Sequence, residues 1–101
     1  MLLLGNGSNL LVDDAGFDGL VIHFGEAFAQ VHLEGNVLTA QAGASLMALS
    51  RLSAEHSLAG LEFAAGIPAS LGGAALMNAG AYGGEMAHIV RFVDCLDKQG
   101  R

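Results

Sequence analysis

Apolar and polar positions along this chain fall into blocks whose lengths suit short strands and short helices. Leu2-Leu3-Leu4 is an unbroken apolar triplet that meets Gly5 at once, the pattern of the end of a buried strand. Leu20 to Phe24 predicts a short strand, entered through the turn Asp13-Asp14-Ala15-Gly16. Phe28 to Leu33 and Val37 to Ala42 flank Glu34-Gly35-Asn36 and predict a hairpin with its glycine in the turn. Ser45 suits the N-cap of a helix running from Leu46 to His56, with Leu46, Leu49 and Leu52 on one stripe. Beyond it lies a stretch rich in Gly and Ala, Leu58 to Glu85, in which Ser70 to Met77 predicts a short helix. Ile89 to Leu96 has the β-branched and aromatic content of a strand and runs into Asp97-Lys98-Gln99-Gly100, which has the composition of a turn. No internal repeat and no linker divides the chain. A start inside a strand and a stop in a turn predict a section cut from a longer protein.

Composition sharpens that expectation. Of the 101 residues, 52% are hydrophobic and only 14% charged, and the mean hydropathy is +0.50. An average soluble domain carries roughly 25% charged residues, so a chain this small has too few to coat itself. Four Lys and Arg against ten Asp and Glu give a net charge of −6, the wrong sign for a binder of nucleic-acid phosphates. No apolar run approaches the roughly 18 to 20 residues that span a bilayer, and the apolar start lacks the basic segment of a signal peptide. The single Cys95 excludes an internal disulfide and a Cys-based zinc site. Together these features predict a reducing, cytoplasmic setting.

The fifteen glycines stand beside a single proline and gather in clusters between apolar segments. The first is Gly5-Asn6-Gly7-Ser8-Asn9, directly after the apolar triplet. Glycines there can take positive φ and turn successive N–H groups into one concavity, an anion nest to which Ser8 and Asn9 add side-chain donors. The alternative is an ordinary glycine-rich turn, and with no Gly-Lys-Ser/Thr ending it is not a P-loop. The second is Gly66-Ile67-Pro68-Ala69-Ser70-Leu71-Gly72-Gly73-Ala74-Ala75. Pro68 suits the first turn of a helix whose N-terminus would carry Ser70 and free N–H groups. Its small residues would admit either a flat ligand or a closely packed neighbouring element. The third, Asn78-Ala79-Gly80-Ala81-Tyr82-Gly83-Gly84-Glu85, suits a loop against a planar ring, or a tight connection in which Tyr82 merely packs.

The remaining polar residues carry less. His23, His32, His56 and His88 show no metal-ligand spacing. Asp13 and Asp14 read as turn-capping or solvated groups, Glu85 as a surface or ion-pair residue, and Cys95 as an inert core thiol. Met77 and Met86 read as gap-filling core.

In order and spacing the three clusters together resemble the UDP-N-acetylenolpyruvoylglucosamine reductase (MurB) family. The resemblance rests on Gly-Asn-Gly-Ser-Asn-Leu-Leu-Val, Gly-Leu-Glu-Phe-Ala-Ala-Gly-Ile-Pro and Gly-Gly-Ala-Ala-Leu-Met-Asn-Ala-Gly-Ala-Tyr-Gly-Gly-Glu, and runs from Leu3 to Gly100. It implies an α+β fold, part of an FAD-binding domain of the vanillyl-alcohol-oxidase (PCMH) type, with mainly antiparallel strands and one or two helices. Residues 1–15 would end a first subdomain and 16–101 begin a second. The implied cofactor is FAD, with NADPH as co-substrate and a UDP-sugar as substrate in the intact enzyme of peptidoglycan precursor synthesis. Gly5, Asn6, Gly7, Ser8 and Asn9 would hold the pyrophosphate. Gly66, Ile67, Pro68, Ser70, Gly72 and Gly73 would lie along the cofactor, and Asn78, Gly80, Ala81 and Tyr82 near its flavin end. Asn6 and Ala69 stand where the family usually has glycine, which Ala69 tolerates only with a negative φ. The catalytic serine, a Tyr-Arg pair and a glutamate belong to segments beyond Arg101, so no catalytic residue is expected here. Two other readings stay open: a flavoprotein oxidoreductase of the same fold with different chemistry, and a small cofactor-free module that self-associates to hide its apolar surface.

Overall fold

The computed structural model describes residues 1–101 and shows six short strands in three separate pairs, with two α-helices between them. Strand β1 (Leu2–Leu4) runs parallel to β2 (Val21–His23), Leu2 opposite Val21 and Leu4 opposite His23. A parallel pair needs a long crossover. Here it is the segment 5–20, exposed from Asn6 onward and tightened where Asp13 Oδ1 accepts the Ala15 N–H at 2.8 Å. Strands β3 (Val31–Glu34) and β4 (Val37–Ala40) form the expected hairpin. Gly35 has φ +62° at the first turn position, which a side chain would resist.

Helix α1 (Leu46–Glu55) starts where Ser45 predicts: the Ser45 hydroxyl accepts the Ala48 N–H at 3.2 Å. Its buried stripe is Leu46, Leu49, Ser50 and Ser53, while Leu52 stays half-exposed. The two serines tolerate burial because Ser50 donates to the Leu61 carbonyl (2.8 Å) and Ser53 to that of Leu49 (2.9 Å). A one-turn 3-10 helix at Glu62–Ala64 follows, then α2 (Leu71–Leu76), capped by Ser70. Strands β5 (Gly80–Ala81) and β6 (Gly84–Glu85) make a second hairpin, and a one-turn 3-10 helix at Met86–His88 closes the folded part. The core is small: Leu46, Phe63, Ala64, Ala74 and Met86 pack together, ringed by Leu61, Ile67, Leu71 and Ile89.

The α+β class holds, and two of the three strand pairs are antiparallel. Several expectations do not hold. Phe28 belongs to a one-turn 3-10 helix, Glu26–Phe28, and not to β3. Residues 89–96 form no strand: no other strand lies beside them to complete a ladder, and positions 91–96 are exposed. Cys95 is therefore an exposed thiol, not a core one. Met77 is 60% exposed at the end of α2, whereas Met86 is 2% exposed, as core packing requires. No helix is long and apolar enough to cross a membrane.

Candidate functional site

The first glycine cluster leaves the end of the β1–β2 ladder, whose last bond is Phe24 N–H to the Leu4 carbonyl at 2.8 Å. From Gly5 to Asn9 no N–H donates to any group of the chain. Gly7 has φ +71°, while Asn6 needs no positive φ. Gly5 abuts Ser70 so closely that a Cβ there would collide with the Ser70 hydroxyl. The first cluster is thus a run of free donors pressed against the start of the second, and the two clusters meet at one point.

The second cluster is arranged differently from its sequence expectation. Pro68 lies before the N-cap, not in the first turn of α2. The Ala69 N–H reaches back across it to the Ile67 carbonyl at 2.9 Å, a tight turn to which the fixed φ of proline is suited. Ala69 has no positive φ, so alanine is unstrained at this position. The N–H groups that open α2 are already occupied: Leu71 donates to Ala44, Gly72 to Ala42 (both 2.8 Å), and Gly73 to the Ser70 hydroxyl (3.4 Å). No free anion site exists at this helix start. Ser45 and Ser70, the two N-caps, form an antiparallel bridge that sets the starts of α1 and α2 side by side. Gly72 permits this approach, since a Cβ there would lie 2.8 Å from the Ala42 Cβ. Gly66 has open space around it, and Ile67 packs on the core.

The third cluster forms the β5–β6 hairpin, with Gly80 opposite Glu85 and Ala81 opposite Gly84. Its two turn residues, Tyr82 (φ 54°) and Gly83 (φ 81°), both take positive φ, as a type I′ turn demands. Tyr82 is 99% exposed, so its ring packs on nothing. Gly84 lies on the Phe63 ring, where a Cβ would fall 2.8 Å from the ring carbons. Asn78 takes φ 48° just after α2, and its side-chain Oδ1 accepts the Ala87 N–H at 2.9 Å. Glu85 lies 3.6 Å from the His88 ring, a surface contact.

Two open clefts flank these clusters. One, of about 800 Å³, is lined by Asn6, His23, Gly43, Ser45, Arg51 and Glu55, among others, a volume within the range of small-molecule sites. The other, of about 510 Å³, lies between Tyr82, Gly83 and Gly84 on one side and Gly60, Glu62 and Phe63 on the other. They share no residue. Sequence reading singled out Asn6 in the larger cleft, set His23 aside for want of ligand spacing, and passed over Arg51 and Glu55, which stand far apart along the chain. Gly43, between a strand and an N-cap, also borders this cleft. A Cβ there would collide with the Gly25 carbonyl and lie 2.6 Å from that of Phe28. No three His, Cys, Asp or Glu side chains converge on a point.

The residues present suit a dinucleotide pyrophosphate. The donors of residues 5–9 are unengaged, and the close fit of Gly5 on Ser70 needs a residue without a side chain. Backbone N–H groups also supply positive potential to an anion without any Lys or Arg, which this acidic chain lacks at all three clusters. The model of a family described as the FAD binding domain matches residues 1–101. The chain belongs to that FAD-binding family. It is 56% identical over 100 residues to a UDP-N-acetylenolpyruvoylglucosamine reductase of Heliobacterium modesticaldum, covering 99% of this chain and 32% of the relative. Reductases of the same name from Streptococcus pyogenes (52% over 99 residues, 98% of this chain, 33% of the relative) and Clostridium perfringens (51% over 96 residues, 95% and 31%) are similar throughout. The chain therefore spans about a third of the length of the curated relatives it matches.

Proposed function

We propose that this chain is the central FAD-binding portion of a UDP-N-acetylenolpyruvoylglucosamine reductase, which makes UDP-N-acetylmuramate with NADPH for peptidoglycan. The observation that carries the reading is the meeting of the first two glycine clusters, where a run of unengaged N–H donors sits against a buried N-cap serine. Gly5, Asn6, Gly7, Ser8 and Asn9 hold the pyrophosphate through backbone donors and two side chains. Gly66, Ile67, Pro68, Ser70, Gly72 and Gly73 form the backbone surface along which the cofactor lies. Asn78, Gly80, Ala81 and Tyr82 make up the segment at its flavin end. When bound, the flavin relays a hydride between NADPH and the enolpyruvyl double bond. This chain's part is to bind and orient; proton donation and most of the substrate contacts fall to the other two-thirds of the parent.

The fold is proposed to be of the vanillyl-alcohol-oxidase (PCMH) type, with two subdomains enclosing the cofactor. The β1–β2 ladder joins the two sides of a boundary at residue 15, which favours drawing the division after Phe24 instead. A cytoplasmic enzyme acting on a UDP-sugar suits the reductase reading. Self-association of the isolated chain is supported by its exposed apolar residues, among them Leu11, Leu20, Leu76, Phe92 and Leu96.

The test is a titration with FAD followed by flavin fluorescence, with size-exclusion chromatography on the same sample. Saturable binding, weakened about tenfold or more when Ser8 and Asn9 both become Ala, is expected from the loss of hydrogen bonds to a charged group. No binding by a folded, monodisperse sample of this chain would favour the self-associating module or a cofactor site too incomplete to work, and no binding by the full-length parent would overturn the reading.

A further inference from the structure

We propose that Asn78 is a positioning residue: by accepting the Ala87 N–H it fixes the direction of the Tyr82 turn relative to α2. That direction decides how the third cluster meets the flavin end of the cofactor, so this inference rests on the FAD-binding reading above.

Helix α2 ends in a Schellman motif, with Asn78 N–H to the Ala75 carbonyl (3.3 Å) and Ala79 N–H to that of Ala74 (2.9 Å). This places Asn78 in the left-handed region, which asparagine tolerates and glycine tolerates better. Backbone need alone would therefore be met by glycine. Glycine cannot reach Ala87. The Asn78 Oδ1 bond spans nine residues and ties the start of the third cluster to the one-turn helix just after it.

The base of the hairpin is held to the core by Met86, which is buried and whose N–H donates to the Ala79 carbonyl at 3.0 Å. Gly84, packed on the Phe63 ring, seats one face of the hairpin, and the Met86 link fixes its base at a point. The Asn78–Ala87 bond lies on the adjacent residue pair, and two neighbouring links define a direction. Tyr82 stands at the far tip with no packing of its own, so its position is inherited from that base. A small rotation there becomes a larger displacement of the turn.

The FAD-loaded full-length protein is compared with Asn78→Asp, Asn78→Gly and Asn78→Ala. Asp keeps the acceptor oxygen and tolerates positive φ; Gly keeps only the backbone freedom and is expected to fold; Ala loses both. In Asn78→Gly, kcat should fall about fivefold, the factor equivalent to one net hydrogen bond near 1 kcal/mol, with a smaller loss of FAD affinity. The flavin absorbance and fluorescence should shift, and amide hydrogen exchange across residues 85–88 should speed up. Asn78→Asp should restore all three. An Asn78→Gly protein matching the wild type in kcat, flavin spectrum and exchange would overturn the proposal and leave Asn78 a backbone role only. Should the wild type bind no FAD, the cofactor reading fails by itself. The exchange contrast between Gly and Asp then still decides whether the bond positions the hairpin.

Discussion

Three residues other than glycine hold positive φ: Ser57 (56°), Asn78 (48°) and Tyr82 (54°). Each follows from a local need. Ser57 ends α1 in a Schellman motif, with Leu58 N–H to the Ser53 carbonyl at 2.8 Å and Ser57 N–H to that of Ala54 at 3.1 Å. Its side chain makes no hydrogen bond, so Ser57→Gly should stabilise the fold by about 0.5 to 1 kcal/mol in urea denaturation. Gly84 is the opposite case. A methyl group there meets the Phe63 ring at 2.8 Å, and Gly84→Ala should cost about 1 to 3 kcal/mol, read as a lower unfolding midpoint. The need for glycine in a turn was legible at Gly35, because turn chemistry is local. The need at Gly5, Gly43 and Gly84 was not, because what each one touches lies far away in sequence.

At the scale of elements, α1 shows what a pattern can and cannot carry. Its start at Ser45 was readable from the cap residue, and Ser45→Ala should destabilise by about 1 kcal/mol, measured by thermal unfolding. Its buried face was only half readable. Positions 46, 49, 50 and 53 lie on one side of a helix of 3.6 residues per turn, while position 52 falls off it. Two serines completed the stripe because carbonyls stood ready to receive them. Ser50→Ala would strand the Leu61 carbonyl, and a loss of about 1 to 2 kcal/mol with a looser Glu62–Ala64 turn is expected from equilibrium unfolding and hydrogen exchange. Residues 89–96 fail in the other direction. Their β propensity is real, but a strand exists only where another strand supplies its hydrogen bonds.

As a whole molecule the chain is under-covered. Its accessible surface is 7456 Å², against about 5,350 Å² expected for a compact monomer of its mass. Its radius of gyration is 14.4 Å, slightly above the roughly 13 Å of a 100-residue domain. Ten residues of 101 are buried, so the few that form the core matter greatly. Leu46, with no exposed surface, should cost about 2 to 5 kcal/mol when changed to Ala, enough to unfold so thin a core. Exposed Leu11, Leu76, Phe92 and Leu96 should make the isolated chain self-associate, seen as sedimentation that depends on concentration above the 10.3 kDa monomer.

The sequence by itself determined what lies within a few residues: the N-cap at Ser45, the Gly35 hairpin, the turn at Asp13, the glycine clusters and their order. Those features depend on bonds between near neighbours, so the local residue types suffice to specify them. Only the tertiary structure decided which N–H groups stay unengaged at residues 5–9 and which are consumed at the start of α2. It also decided that Ser70 meets Gly5, that Asn78 holds Ala87, and that Cys95 and Met77 face solvent. A donor is free or taken, and a side chain covered or bare, according to what a distant segment brings to it. Spacing along the chain does not record that.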